Sequence, residues 1–155
     1  MDTGFLAEIH PKVVHFPIAL LTTYSLLEII GIVFKREFIS KSALLLLLLG
    51  VISAFLAVLT GNQAAQEFRS WNDESKALLM AHRNYATYLL WFASALCALR
   101  IFVTVRKKFA GRIKFLFILF AVVIVFFVYE TGIRGGNLVS KYGIGTESGQ
   151  GLINK

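Results

Sequence analysis

The chain has 155 residues, of which 57% are hydrophobic and only 16% are charged. A soluble domain of this size is usually about 45–50% apolar and about 25% charged, so the composition argues against a soluble protein. The net charge of +7 could suggest a nucleic-acid partner, but the basic residues are concentrated in two short loops between apolar segments. We therefore expect an all-α membrane protein surrounded by a lipid bilayer, with no nucleic-acid partner.

Four apolar stretches are candidates for transmembrane helices, since a span needs about 20 mostly apolar residues. They cover residues 13–34, 42–60, 85–105 and 115–129. The fourth stretch reaches full length only if its flanks are also helical. We expect residues 1–155 to form a single four-helix transmembrane domain, in which residues 130–155 are an outer glycine-rich tail folding back over the bundle.

The second and third helices are predicted to extend beyond the membrane. Good helix formers follow Thr60, and Asn72 or Asp73 can cap the next helix, which would then end near Lys107. Such a helix is about 50 Å long, which exceeds a hydrocarbon core of about 30 Å. We therefore predict an outward-projecting hairpin with its tip near residues 71–72. Three pairs should then face each other across it: Gly61 and His82, Ala57 and Ala86, and Gly50 and Ala93.

The charge distribution predicts the topology. Loop 35–41 has a net charge of +2 and loop 106–114 a net charge of +5, whereas the connection 61–83 is neutral. By the positive-inside rule, the two basic loops face the cytoplasm, and both termini and all three histidines face the periplasmic side of a bacterial inner membrane. The N-terminus does not resemble a cleaved signal peptide. Cys97 is the only cysteine, so the chain lacks the CxxCH motif that attaches a covalent c-type haem.

Two histidines lie close together in the segment HPKVVHFPIAL, residues 10–20. A helix beginning near Pro11 would contain His15, whereas His10, which precedes the proline, should be extended. Pro17 has no N–H for the carbonyl four residues earlier and should bend the helix there. The third histidine, His82, is expected at a similar depth near the outer end of the third span.

Two imidazoles at one depth, with mostly small residues on their membrane side, suit a flat ligand such as haem b. Two neutral imidazoles bind haem iron as axial ligands and give an electron-transfer centre. We therefore predict His15 and His82 as the iron ligands of one bis-histidine haem b, with Gly61 leaving room for the ring. His10 is the alternative ligand, a partner of a haem propionate, or the cap of the first helix. Three arginines could pair with the propionates: Arg69, Arg83 and Arg134.

Other interpretations of the same residues remain open. Small residues in membrane helices often only permit close packing, and a cofactor-free accessory subunit that scaffolds a larger respiratory or photosynthetic complex has no need of paired histidines. Three histidines could also hold copper or zinc. An independent enzyme is the least supported class, because the sequence contains no nucleophile–base arrangement, P-loop or nucleotide-binding fingerprint. A channel is poorly supported too, since the spans carry few polar residues.

Several motifs resemble those of a bacterial family catalogued as domain of unknown function 2231: HPKVVHFPIAL, GNQAA, the histidine that opens the third span, and GGNLVSKYGIG. The resemblance implies a small four-helix inner-membrane protein that carries haem. It also implies respiratory or c-type cytochrome components nearby, without implying an established activity. If the chain carries haem, we expect other membrane subunits as neighbours and a periplasmic cytochrome c or a quinone as redox partner. The residues that match the pattern are His10, His15, His82, Gly135, Gly136, Gly143 and Gly145. Tyr142 departs from the pattern, since many relatives place a histidine there, and three histidines allow only one bis-histidine haem.

Four charged residues lie within or beside the apolar spans. Glu28 and Arg100 are at matching depths in the first and third spans, and buried charges in membranes usually pair, so we predict a structural salt bridge. The alternatives are a proton path through Glu28 and snorkelling of Arg100 to the headgroups. Glu130 and Arg134 are four residues apart, the spacing of an ion pair on one helix face.

Overall fold

A computed structural model describes residues 3–67 and 72–144, with side chains for residues 5–66 and 72–144. This part of the chain contains five helices: α1 (Thr3–Val13), α2 (His15–Val33), α3 (Glu37–Glu67), α4 (Asp73–Val105) and α5 (Ile113–Tyr142). Within it, four segments are long and apolar enough to cross a membrane, and the first of them, Phe5–Val33, combines α1 and α2. The predicted all-α architecture with four membrane spans is confirmed.

The first span begins earlier than the sequence suggested. Because α1 starts at Thr3, the prediction that a helix begins near Pro11 after an extended His10 is wrong. The residue before a proline disfavours helical geometry, but the His10 side chain is held by α3, and this tertiary contact overrides the local preference. Only Val14 separates α1 from α2, next to the Val13 carbonyl that Pro17 leaves without its helical donor; the bend itself stays a prediction.

The second and third spans have the predicted extensions. α3 continues past Thr60 to Glu67, and α4 starts at Asp73. Asn72 caps α4: its Oδ1 accepts from the Ser75 N–H at 2.7 Å, and the Ser75 hydroxyl accepts from the Asn72 N–H at 3.0 Å. The 31 and 33 residues of these helices correspond to about 46–50 Å, which is longer than a hydrocarbon core. The tip of the hairpin lies outside the described residues, so its outward projection remains a prediction.

The fourth span is much longer than predicted. α5 runs without a break to Tyr142, so the first part of the expected glycine-rich tail is helical, and only residues 145–155 lie outside the described part. Two polar contacts accompany the glycines of this segment, which have a low helix propensity. Arg134 forms the predicted ion pair with Glu130 one turn away, and the Tyr142 hydroxyl donates to Glu74 of α4 at 3.3 Å. Gly143, at a φ of 65°, ends the helix.

The spans form a closed ring in which α2 contacts α3, α3 contacts α4, α4 contacts α5, and α5 returns to α2. α2 and α3 approach closely at Gly50, where a Cβ atom would lie 2.5 Å from Cδ2 of Leu21, and at Gly31, where it would lie 2.8 Å from the backbone nitrogen of Ser40. The prediction that Gly50 faces Ala93 of α4 is therefore wrong. The largest fully buried apolar side chains fill the centre of the ring: Leu21, Tyr24, Leu47, Phe117 and Ile124.

The predicted salt bridge between Glu28 and Arg100 is confirmed. Arg100 Nε donates to Glu28 Oε1 at 2.8 Å, and the two side chains are 3% and 0% exposed. Arg100 also donates to the hydroxyls of Ser40 at 2.7 Å and Thr104 at 2.6 Å, and its Cζ lies 3.3 Å from the centroid of the Phe109 ring. The guanidinium thus joins α2, α3 and α4 and has a counter-charge, hydrogen bonds and an aromatic face.

The two ends of the bundle carry different polar residues. We call one the histidine end, defined by His10, Thr60, His82 and Thr131. We call the other the lysine end, defined by Lys35, Lys41, Lys107 and Lys114. Large apolar side chains are exposed on the surface of the bundle, including Trp91 at 71%, as expected for helices that face lipid.

Candidate functional site

The His10 ring is fixed by a hydrogen bond to the neighbouring helix. Its Nδ1 lies 2.9 Å from the hydroxyl of Thr60 on α3. That hydroxyl donates its own hydrogen to the carbonyls of Leu56, at 3.0 Å, and Ala57, at 3.1 Å. With its single hydrogen on one of these carbonyls, Thr60 accepts a hydrogen bond from the histidine. In that arrangement Nδ1 of His10 carries the proton, and in the neutral ring Nε2 has the free lone pair.

Gly61 provides the space that the His10 ring occupies. A Cβ atom on Gly61 would lie 2.8 Å from Cε1, 3.3 Å from Nε2 and 3.4 Å from Nδ1 of this ring. The predicted juxtaposition of Gly61 with His82 is therefore wrong, since the nearest atoms belong to His10. The prediction assumed that α3 faces only α4, whereas α3 also packs against α1, with Thr60 of α3 in contact with His10.

His82 has the same kind of anchor on a different helix. Its Nδ1 lies 3.0 Å from the main-chain carbonyl of Thr131 on α5, and a carbonyl can only accept. Nδ1 thus donates, and Nε2 again has the lone pair of the neutral ring. Gly135, one turn further along α5, makes room for the ring, because a Cβ there would lie 3.1 Å from Cε1 of His82. Gly136, by contrast, faces open space.

The structure brings His10 and His82 together, and it does not bring His15 to them. The first two rings are part-buried and close enough to interact electrostatically, whereas His15 is exposed at the start of α2. Positions five apart on a helix point about 140° away from each other, so His10 and His15 cannot share one face. Of the two predicted ligand pairs, the geometry therefore suits the alternative, His10 with His82. Among the described residues, no three His, Cys, Asp or Glu side chains form a group that could hold a metal.

The arginines predicted to contact propionates have different surroundings. Arg134 is paired with Glu130, its Cζ lies 4.0 Å from the centroid of the Tyr85 ring, and it interacts electrostatically with His82. Arg83 is exposed and makes no ion pair with any described residue. Arg69 lies outside the described residues. Of the two described arginines, Arg83 is therefore the one whose charge is available to an anion.

Two further residues complete the site, and both are threonines that were not predicted from the sequence. Thr60 and Thr131 supply the acceptors that fix both rings, and neither residue type by itself suggested a role. A signal was available for Thr60, because a threonine inside an apolar span often hydrogen-bonds across helices. No such signal exists for Thr131, since its contribution is a main-chain carbonyl that any residue could provide.

The comparison with known families agrees with the motifs in the sequence. The model of a family described as a predicted membrane protein (DUF2231) matches residues 7–148, a segment that contains both anchored histidines and both glycines beside them. No curated protein and no solved structure gives a match. Because the match extends over nearly the whole chain, this protein belongs to the DUF2231 family of membrane proteins.

Proposed function

We propose that the protein is a membrane subunit that holds one b-type haem at the histidine end and transfers electrons. The observation that supports it is the shared geometry of His10 and His82, each of which has Nδ1 within hydrogen-bond distance of a fixed oxygen on a neighbouring helix. Histidines that ligate a metal through Nε2 are usually oriented by such a hydrogen bond, which fixes the tautomer and the direction of the lone pair.

The number of donors favours haem over an isolated metal ion. The porphyrin would itself supply four nitrogens to the iron, so two imidazoles from the protein would be sufficient. A structural zinc site usually needs four protein ligands, and the described residues contain no group of three candidate ligands. When bound, haem would supply a one-electron redox centre. His10 and His82 would bind the iron, and Arg83 could neutralise a propionate.

The redox partner follows from the proposed orientation. If the lysine end faces the cytoplasm, as the positive-inside rule predicts, then the histidine end faces the periplasm of a bacterial inner membrane. A periplasmic cytochrome c or a quinone in the adjacent leaflet would then be within reach. Since the chain has only three histidines, a second bis-histidine centre at the lysine end is excluded. We therefore propose electron exchange at one membrane face, within a larger complex.

Absorption spectroscopy of the detergent-purified protein tests this proposal. We expect a sharp b-type α band in the reduced-minus-oxidised spectrum and about one haem per chain in a pyridine haemochrome assay. His10→Ala and His82→Ala should each abolish the band, with added imidazole restoring part of it. His15→Ala is the matched control, because it removes an exposed imidazole from the same segment.

Two results would contradict the proposal in different ways. Loss of the band in His15→Ala but not in His10→Ala would mean that the ligand pair is His15 and His82. Absence of haem from the wild-type protein, even when it is isolated with its native complex, would leave a cofactor-free accessory subunit as the function.

A further inference from the structure

A second site lies at the lysine end, independent of the histidines. A cavity of about 460 Å³ opens between the turn that joins α2 to α3 and the loop that joins α4 to α5. Four lysines line it, with one exposed acid at its edge: Lys35, Lys41, Lys107, Lys114 and Glu37. Cavities of this size are typical of sites for small ligands or parts of larger ones.

The positive charge of this cavity is only partly neutralised. Arg100, which forms part of the lining, already has Glu28 as its counter-charge at 2.8 Å. Glu37 pairs with Lys41 at 3.6 Å. Within the described residues, the remaining three lysines make no ion pair. Three ammonium groups around one cavity repel each other unless an anion lies between them.

Two of these lysines have a backbone conformation that residues other than glycine rarely adopt. Lys35 has a φ of 52° and Lys107 a φ of 54°. A left-handed conformation is unfavourable for any residue with a Cβ atom, and glycine is the usual choice. Gly143 fills the equivalent role at the end of α5, with a φ of 65°.

Both lysines occupy the same position in the same helix-ending motif. After α2, the Lys35 N–H donates to the Ile32 carbonyl at 3.3 Å, and the following N–H donates to Gly31 at 2.9 Å. After α4, the Lys107 N–H donates to the Thr104 carbonyl at 3.0 Å, and the following N–H donates to Val103 at 2.8 Å. These are two Schellman motifs, whose left-handed position is most often glycine.

We propose that this cavity binds the phosphate group of an anionic lipid headgroup. A lysine at each strained position is unfavourable for the backbone, but it places a positively charged residue in the cavity lining, which glycine could not do. Lysine ammonium groups bind phosphate as point charges, and basic pockets between membrane helices are typical sites for lipid headgroups. Phe38, which follows the lining residue Glu37 in the chain, is 82% exposed and offers an apolar side chain that acyl chains can cover.

The test uses the full-length protein in nanodiscs of phosphatidylcholine with a minor fraction of phosphatidylglycerol, at physiological salt. The Lys35→Gly/Lys107→Gly variant removes both ammonium groups and places glycine where the backbone favours it, so it should fold. Its control is Arg36→Gln/Lys108→Gln, which removes the same charge from neighbouring exposed residues outside the cavity. Native mass spectrometry after mild detergent extraction measures how much phosphatidylglycerol each protein retains.

We expect the wild-type protein to retain phosphatidylglycerol in preference to phosphatidylcholine. The cavity variant should bind it roughly 100-fold more weakly, as expected for two lost charge-assisted hydrogen bonds. The control should differ from wild type only about threefold, because Arg36 and Lys108 do not line the cavity and act on a bound anion only through the screened long-range field. The thermal midpoint of the cavity variant in pure phosphatidylcholine should equal or exceed that of wild type.

Competition with millimolar inorganic phosphate distinguishes the two ligands that share a phosphate group, namely a lipid headgroup and free phosphate. Retention of the lipid supports a headgroup site. Displacement of the lipid, with a raised thermal midpoint in wild type but not in the cavity variant, supports a site for free phosphate. Equal retention of phosphatidylglycerol by wild type and the cavity variant, or no preference over phosphatidylcholine, overturns the proposal.

Discussion

Substitution of Gly61 by alanine tests the geometry of the histidine end most directly. The new Cβ would lie 2.8 Å from Cε1 of His10, whereas carbon atoms pack best at about 3.5–4.0 Å. The ring would therefore have to retreat by roughly 0.7 Å. Its 2.9 Å hydrogen bond to Thr60 would then approach a length at which little of it remains.

The expected cost combines three terms. Overpacking of this size costs about 1–3 kcal/mol, and loss of the hydrogen bond costs about 0.5–1.5 kcal/mol. Alanine recovers up to about 1 kcal/mol through its higher helix propensity. We therefore expect Gly61→Ala to lower the free energy of unfolding by about 0.5–4.5 kcal/mol.

Gly136→Ala provides the matched control. It makes the same change within a helix, but its Cβ meets nothing within 4 Å. It should leave the free energy of unfolding unchanged or raise it by up to about 1 kcal/mol. The assay is reversible denaturant unfolding of both variants in the same detergent, followed by circular dichroism. Equal stability of the two variants would refute the assignment of Gly61 as the space that holds the His10 ring.

Three further predictions concern the polar groups of the bundle. Glu28→Leu and Arg100→Leu should each lower the free energy of unfolding by about 3–5 kcal/mol, because each leaves a buried charge unpaired. The double variant should lose less stability than either single variant. Losses that simply add in the same unfolding assay would contradict this. Tyr24→Phe should raise the free energy of unfolding by about 1 kcal/mol, since the buried Tyr24 hydroxyl has no hydrogen-bond partner among the described residues. A lower midpoint of unfolding would contradict this. Tyr142→Phe should leave the midpoint of unfolding unchanged, because the hydrogen bond from the Tyr142 hydroxyl to Glu74 is long and exposed. A clear loss of stability would contradict this and show that the bond holds α5 to α4.

Sequence by itself determined the features that depend on local composition and on matching depths. Long apolar stretches must be helical in a bilayer, because only internal hydrogen bonds can satisfy the backbone there. The cap at Asn72 and the ion pair at Glu130 and Arg134 follow from spacing along one helix. Even the contact of Glu28 with Arg100 was predictable, because a charge in the membrane interior needs a counter-charge and few are available.

Only the tertiary structure decided which helices are neighbours and which faces they share. Because α1 starts early and packs on α3, His10 lies in the site and His15 does not. For the same reason Gly61 contacts His10 rather than His82. Apolar helices in lipid gain no hydrophobic energy by choosing one partner over another, so hydropathy carries no information about that choice. Close packing and a few interhelical hydrogen bonds decide which helices are neighbours, and these interactions depend on residues far apart in the chain.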